Sequence, residues 1–135
     1  MPGLSGLALT KEETIEILSL YATSAARVDA VASAPGWIVV GSFPMPATAD
    51  IRLDALGSVS DPGLTMSIRL YCTTVGSVGV VGGSLMTLSS LVDVHVFSSV
   101  FNLVGNRSYQ VQCQVVGAAG SPYFGNLRRV APAGI

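Results

Sequence analysis

The strongest constraint on the fold is an alternation of apolar and polar residues with a period of two. Between Met66 and Cys72 every second side chain is apolar, and between Gln110 and Val115 glutamine alternates with valine or cysteine. Successive side chains of a β-strand point to opposite faces of the sheet, whereas a helix repeats roughly every 3.6 residues. These segments therefore predict strands that bury one face and expose the other.

Shorter apolar runs, separated by turn residues, extend this pattern along most of the chain. The segment 61–63 (Asp-Pro-Gly) and the pair Gly82-Gly83 are turn signals, and Pro44 with Pro46 is expected to close the strand that begins at Trp37. The predicted strands cover 37–40, 51–55, 66–72, 76–84, 85–97, 100–104, 110–115 and 123–130. About eight short strands predict a mainly β chain that folds as a single antiparallel β-sandwich or jelly-roll-like domain.

The N-terminal region departs from this pattern. Residues 1–9 are predicted to be an extended arm, because proline and glycine interrupt its leucines. Thr10 and Glu13 have the spacing of a capping box, and the apolar residues that follow share one arc, which predicts a short helix over about 11–21. Residues 22–30 either extend this helix or begin a strand, and the strand is favoured. No linker or repeat divides the remainder, so residues 10–135 are predicted to form one domain.

Charged residues are scarce, at 11% of the chain against roughly 25% in an average soluble domain. Half of the residues are hydrophobic, which excludes intrinsic disorder because a disordered chain needs low hydrophobicity and high charge. The net charge of −1 creates no polyanion-binding field, so no nucleic acid partner is expected. The charge-free stretch from Leu70 to Val92 is rich in glycine, serine and threonine, and predicts strands rather than a membrane span. The N-terminus lacks the basic region of a secretory signal, so the protein is expected to remain unsecreted.

Two cysteines, Cys72 and Cys113, fall on the apolar side of alternating runs. We expect buried free thiols, with a disulfide between two strands as the alternative. Two cysteines and one histidine do not supply four zinc ligands, so neither a metal nor a cofactor is expected. Trp37, the only tryptophan, stands in an apolar run and is expected in the core.

His95 is the only histidine, so a Ser-His-Asp or Cys-His mechanism would have to use it. Asp93 lies two residues earlier on the same strand face and is in position to orient its ring, but no G-x-S-x-G motif presents a serine. Asp50 and Asp54 share a strand face without the oxygen-rich loop of a calcium site, and are interpreted as surface charges. No catalytic residue is predicted, and the chain is predicted not to be an enzyme. A small hydrolase or isomerase that uses His95 is the weakest alternative.

The outward strand positions suggest assembly with other proteins. They carry Ser67, Tyr71, Phe97, Gln110, Gln112 and Gln114. A solitary domain usually keeps apart from others through mixed charge and lysines at strand edges, yet the only lysine here is Lys11. Protein interfaces are likewise depleted in lysine and glutamate, so the sequence predicts an assembling structural protein. The candidate assembly contacts are Leu4, Leu7 and Leu9 of the arm, with Tyr71, Tyr123, Arg128 and Arg129.

Three segments carry a resemblance to known proteins: 61–71, 101–112 and 115–120. Their sequence resembles that of small β-sandwich accessory proteins of tailed-bacteriophage virions. Capsid decoration (cement) proteins are the most similar, and tail or baseplate modules are next. The resemblance covers residues 50–130 and transfers no functional residue.

The resemblance implies a virion protein on the capsid exterior, made in the cytoplasm of the bacterial host. Such proteins form dimers or trimers and brace the joints between subunits of the major capsid protein. Many use a terminal arm to reach a neighbouring subunit, which would suit residues 1–9, and docking of this arm on its own domain is the alternative. A function of a different class is a carbohydrate-binding β-sandwich, which needs exposed aromatic rings beside Asp, Asn or Gln.

Overall fold

The computed structural model describes residues 10, 12, 13, 16, 26–31, 36–118 and 122–133. This part of the chain is mainly β and contains ten strands. Their bounds are β1 Ala26–Val31, β2 Ile38–Met45, β3 Ala49–Val59, β4 Thr65–Cys72, β5 Gly79–Val80, β6 Met86–Leu88, β7 Val94–Phe97, β8 Phe101–Leu103, β9 Arg107–Val116 and β10 Phe124–Ala133.

The ten strands form one curled sheet whose two halves face each other as a sandwich. In the first half, β10 lies between β1 and β3, and β3 pairs on its other side with β7 and β8. In the second half, β9 lies between β2 and β4, and β4 pairs on its other side with β5 and β6. Strand β1 joins the halves, because residues 26–29 pair with β10 while Ala30 and Val31 pair with β9 in parallel. All the other pairings are antiparallel, so the predicted β-sandwich, jelly-roll-like class is confirmed.

The core lies between the two halves and is built from the alternating positions that the sequence predicted. On β4 the buried side chains are large, and Met66, Ile68 and Leu70 are fully enclosed. One position on the facing strand β3 is small: a Cβ at Gly57 would lie 3.0 Å from Cε of Met66. Each fully buried large apolar side chain stabilises the fold by about 1.5–3 kcal/mol. Both halves supply large buried side chains, such as Leu53 on β3 in the first half, and Gly57 leaves room for the Met66 side chain.

Two expectations about the strands need correction. Ten strands are present in the described residues against about eight predicted, because the apolar run at 85–97 divides into β6 and β7 and because residues 26–31 form β1, in the segment where a strand was favoured over a longer helix. Pro44 does not close β2, which continues to Met45 with Pro44 opposite Ser108. Proline is accepted in this position because, among the described strands, β2 pairs with β9 on one side alone.

The predicted arm, residues 1–9, lies outside the described residues, as does most of the predicted helix over 11–21. Glu12, Glu13 and Glu16 have helical conformation. The capping box is present: the backbone N–H of Thr10 donates to Oε1 of Glu13, and the backbone N–H of Glu13 donates to Oγ1 of Thr10, each at 3.1 Å. These residues do not define a whole helix, which stays a prediction.

Candidate interface on the outward faces

The sandwich has two outward surfaces, which differ in composition. We call the outward surface of β2, β9 and β4 the glutamine face; it comprises Trp37, Ser67, Arg69, Tyr71, Gln110, Gln112 and Gln114. We call the outward surface of β1, β10, β3 and β7 the charged face; it comprises Arg27, Asp29, Asp50, Arg52, Asp54, His95, Phe97, Phe124, Asn126, Arg128 and Arg129. Each surface is formed by the outward-pointing residues of strands in which inward and outward side chains alternate.

Arg69 on β4 is the centre of the glutamine face and, among the described strands of the second half, the only outward charge. Its guanidinium lies over the ring of Trp37, 3.9 Å from the ring centroid, and 5.9 Å from that of Tyr71. Its Nε donates to Oε1 of Gln112 at 2.9 Å. A cation against aromatic rings, with one donor fixed by an amide, has a restricted orientation.

The hydrogen bonds on the glutamine face form a chain in which Arg69 donates to Gln112 and Gln112 donates to Gln110. Because a guanidinium has only donors, Gln112 must present its carbonyl oxygen to Arg69 and its amide nitrogen elsewhere. That nitrogen, Nε2, donates to Oε1 of Gln110 at 3.3 Å. The terminal guanidinium nitrogens of Arg69 have no partner among the described residues. The centre of this face therefore offers surplus donors.

Gln114 marks the buried end of the glutamine row. Its side chain is only 5% exposed, and its Nε2 has no hydrogen-bond partner among the described residues. Exposed apolar side chains border the face on two edges, Ile38 and Val39 on β2 and Val80 on β5. The face thus combines half-buried amides, aromatic rings and aliphatic edges.

The charged face pairs many of its polar groups, although Nε of Arg52 is buried without a hydrogen-bond partner in the described part of the chain. Among the described residues both arginine–carboxylate ion pairs involve this face, Arg27 with Asp29 at 3.1 Å and Arg128 with Asp93 at 3.2 Å. Nδ1 of His95 lies 3.1 Å from Asp54, a contact that is an ion pair only when the histidine is protonated. Two further guanidinium groups lie over aromatic rings, that of Arg52 over Phe97 at 4.4 Å and that of Arg27 over Phe124 at 4.0 Å. Most of these side chains are solvated, so each pair contributes little to stability.

His95 contacts a different carboxylate from the one that the sequence placed beside it. Nδ1 of His95 lies 3.1 Å from Asp54 on the neighbouring strand, and Asp93 instead accepts from Arg128. Asp50 is not paired with Asp54, because it accepts from the amide of Asn102 at 3.0 Å. A cavity of about 240 Å³ lies between Asp54, His95 and Arg129, over a floor that includes Ala131 and Pro132. Its lining is a mixture of polar and apolar groups, and it opens on the charged face.

The predicted assembly residues lie on separate parts of the surface. Tyr71 is half-buried on the glutamine face, whereas Tyr123 packs against the core beside β10. Arg128 and Arg129 are both exposed because a β-bulge after Leu127 turns two successive side chains outward. Leu4, Leu7 and Leu9 lie outside the described residues. The structure thus separates Tyr71 from the arginine pair by the thickness of the sandwich.

Trp37 was expected in the core, and this prediction is wrong. It is partly exposed and stacks against Arg69 on the glutamine face. Arg69, at the centre of the glutamine face, is not among the assembly contacts that the sequence predicted. The sequence contains a signal for Arg69. It is a single charged residue inside a strand with a period of two, in a protein that has aromatic residues and few other charges.

Two ionisable groups of the core, the Cys113 thiol and the Tyr109 phenol, have raised pKa values. Cys72 and Cys113 are free and buried, as predicted. Burial raises the pKa of the Cys113 thiol to about 12. Burial also raises the pKa of Tyr109, whose hydroxyl donates to the carbonyl of Val104 at 2.7 Å. A thiol that stays protonated is a poor nucleophile and a poor metal ligand.

The described residues contain no group of three or more His, Cys, Asp or Glu side chains placed to hold a metal ion. Within the same residues, no helix has the length and apolar character needed to cross a membrane.

Known structures share the fold of this chain. No protein-family model matches the sequence, and no curated protein matches it. A chain in the structure of infectious bursal disease virus, Gt strain, is similar over 82% of this chain at 12% identity, with a TM-score of 0.52. The match covers 32% of the viral chain, so this protein corresponds to about a third of its length. At this identity the likeness is one of fold alone.

Two carbohydrate-binding modules are similar at lower TM-scores. One is the module CBM6cm-2 from Cellvibrio mixtus lichenase 5A, solved in complex with cellotriose: 11% identity, a TM-score of 0.47, and coverage of 82% of this chain and 97% of the module. The other is the C-terminal CBM6 of LamC, a laminarinase from Zobellia galactanivorans: 13% identity, a TM-score of 0.43, and coverage of 82% and 100%.

Proposed function

We propose that this protein is a non-enzymatic structural protein of a virus particle, of the capsid decoration (cement) type, and that it binds the capsid through the glutamine face. The observation that carries the proposal is the composition of that face. It covers the outside of one half of the sandwich, yet Arg69 is its only charge among the described residues. Aromatic rings and arginine are among the side chains that protein interfaces favour, and the amides add polar contacts without charge.

The energetics of desolvation support this choice of face. Covering the charged face would remove water from two arginine–carboxylate ion pairs and from the contact of His95 with Asp54, and buried pairs recover that cost only with good geometry and further hydrogen bonds. Covering the glutamine face would desolvate one cation that already has an aromatic and an amide neighbour. The exposed Val39 and Val80 at its edges would add apolar area to the contact.

The proposal includes the partners and the location of the protein. The partners are copies of the chain itself, as a dimer or trimer, and the major capsid protein or another virion protein. Synthesis takes place in the cytoplasm of a bacterial host, and assembly places the protein on the virion. The fold likeness to a chain in a virus structure supports this reading at the level of architecture. Many copies on a repeating lattice would bind by avidity, so each contact needs only modest affinity.

The test is co-sedimentation of the purified protein with particles of the virus that encodes it, together with its oligomeric state. We expect a defined oligomer and saturable binding, with hundreds of copies on each intact particle. A monomer at micromolar concentration that binds neither capsids nor other virion parts would contradict the proposal. A low copy number set by tail symmetry would instead favour a tail or baseplate module.

Two nearly isosteric variants locate the binding face. Gln110→Glu places a carboxylate on the glutamine face, and Asn126→Asp places one on the outward side of β10. Because a new carboxylate loses its hydration when a nearly uncharged surface is covered, we expect Gln110→Glu to weaken particle binding by about tenfold or more. Asn126→Asp should bind as the wild type does. Equal binding by both variants would show that the capsid is bound through another surface.

A carbohydrate-binding module is the second candidate function. The observation in its favour is that Trp37 and Tyr71 lie on one face beside the amides of Gln110 and Gln112. Glycan-array binding that is lost in Tyr71→Ala would support it. Tyr123→Ala is the matched control, because that ring packs against the core.

A further inference from the structure

Donor and acceptor groups on the glutamine face point to the chemistry of its partner. The bonds from Arg69 to Gln112 and from Gln112 to Gln110 use one nitrogen of the guanidinium. Its two terminal nitrogens remain without a partner among the described residues, and they lie on the edge of the group opposite to its attachment. This edge has the fork geometry that binds the two oxygens of a carboxylate.

Stacking fixes where that edge points. The guanidinium carbon lies over the Trp37 ring at 3.9 Å from its centroid, and Nε is hydrogen-bonded to Gln112 on β9. An arginine that is already oriented loses less side-chain entropy when it binds an anion than a mobile one does. The surrounding Gln, Tyr and Val side chains supply no competing carboxylate, because the second half of the sandwich has no outward acidic residue among its described strands.

We infer that the glutamine face takes an acidic segment of a partner protein, with one carboxylate seated on the outer edge of the Arg69 guanidinium. The inference rests on the proposed function, and it names the chemistry of the partner. Charge complementarity favours this occupant over a second copy of the chain. A copy related by a two-fold axis through this face would bring guanidinium donors toward guanidinium donors, which repel each other.

The experiment uses the full chain and a synthetic peptide of alternating glutamate and glycine, with a lysine–glycine peptide of equal length as control. Trp37 is the only tryptophan, so its fluorescence reports on this face, and calorimetry provides a second readout. We expect saturable binding of the acidic peptide that weakens with added salt, and none of the lysine peptide. Equal binding of both peptides, or no binding of either, would overturn the inference.

Two variants assign the binding to Arg69. Arg69→Lys keeps the charge but loses the planar fork, and should weaken the acidic peptide by about tenfold. Arg128→Gln, on the opposite face, should bind as the wild type does; a loss equal to that of Arg69→Lys would overturn the assignment. Thermal unfolding of each variant establishes that it is folded.

The peptide and particle experiments separate the two proposals. A protein that binds particles but not the acidic peptide refutes the acidic partner and leaves the particle role standing. A protein that binds the peptide but no particle refutes the virion role and leaves the acidic site standing.

Discussion

The two outward faces of the sandwich have the same backbone architecture but satisfy their polar side chains in opposite ways. On the charged face, the Arg128–Asp93 ion pair and the contact of His95 with Asp54 are exposed to water, and each joins two side chains of the same face. On the glutamine face one guanidinium lies over an aromatic ring and passes a single hydrogen bond into a row of amides. The first surface is stable in water as it stands. The glutamine face has unused hydrogen-bond donors on Arg69 and, among the described residues, only one charge to desolvate. Both properties favour covering this face with a partner protein.

Both faces are supported by one core, so a substitution in the core should reduce the stability of the whole fold and have the largest effect. A Cβ at Gly57 would lie 2.6 Å from the carbonyl oxygen of Asn126 and 3.0 Å from Met66, so Gly57→Ala forces backbone and core to shift. We expect a loss of about 2–3 kcal/mol in the free energy of unfolding, measured by denaturant titration. Gly82→Ala is the control, because a Cβ there meets nothing within 4 Å, and it should change stability by less than about 0.5 kcal/mol. Equal effects would mean that the two halves do not pack as closely as described.

The second half of the sandwich should account for a loss of folding stability in alkali. The buried thiol and phenol with raised pKa values, Cys113 and Tyr109, both lie on β9. The unfolded thiol ionises near pH 9 and the folded one near 12, so stability is fully present below pH 9 and falls as the pH rises toward 12. The expected slope for one proton is about 1.4 kcal/mol per pH unit. Denaturant titrations from pH 8 to 10.5 check it, and Cys113→Val should flatten the curve. An unchanged slope in that variant would assign the alkaline loss elsewhere.

A matched pair of arginine substitutions compares the faces most closely. Arg69→Gln removes a stacked, hydrogen-bonded cation from the glutamine face, and we expect a loss of about 1 kcal/mol. Arg128→Gln removes an exposed ion pair from the charged face and should cost less than about 0.5 kcal/mol. Chemical denaturation of both variants measures the difference. If Arg128→Gln lowers the free energy of unfolding as much as Arg69→Gln does, the described difference between the charged face and the glutamine face is wrong.

Local alternation predicted the strands and most of their faces. The run 110–115 places glutamines on one side and Val111, Cys113 and Val115 on the other, and the structure buries the apolar side. The free buried thiols follow from the same pattern. Such features depend on residues two apart in sequence, so the sequence was sufficient to predict them.

Contacts between distant strands were not predictable in the same way. His95 was weighed with Asp93, its neighbour in sequence, but its partner is Asp54, brought alongside by the pairing of β3 with β7. Trp37 was assigned to the core because its neighbours are apolar, yet a guanidinium from β4 covers its ring. Both errors come from strand order, which the period of a single strand does not encode.

The central claim is that the glutamine face, and not the charged face, is covered when the protein is assembled. Hydroxyl-radical footprinting of the free and particle-bound protein tests it directly, because each face carries reactive aromatic rings. On binding we expect strong protection of Trp37 and Tyr71 and no change at Phe97, which is 49% exposed on the charged face. Protection of Phe97 with unchanged oxidation of Trp37 and Tyr71 would contradict the account.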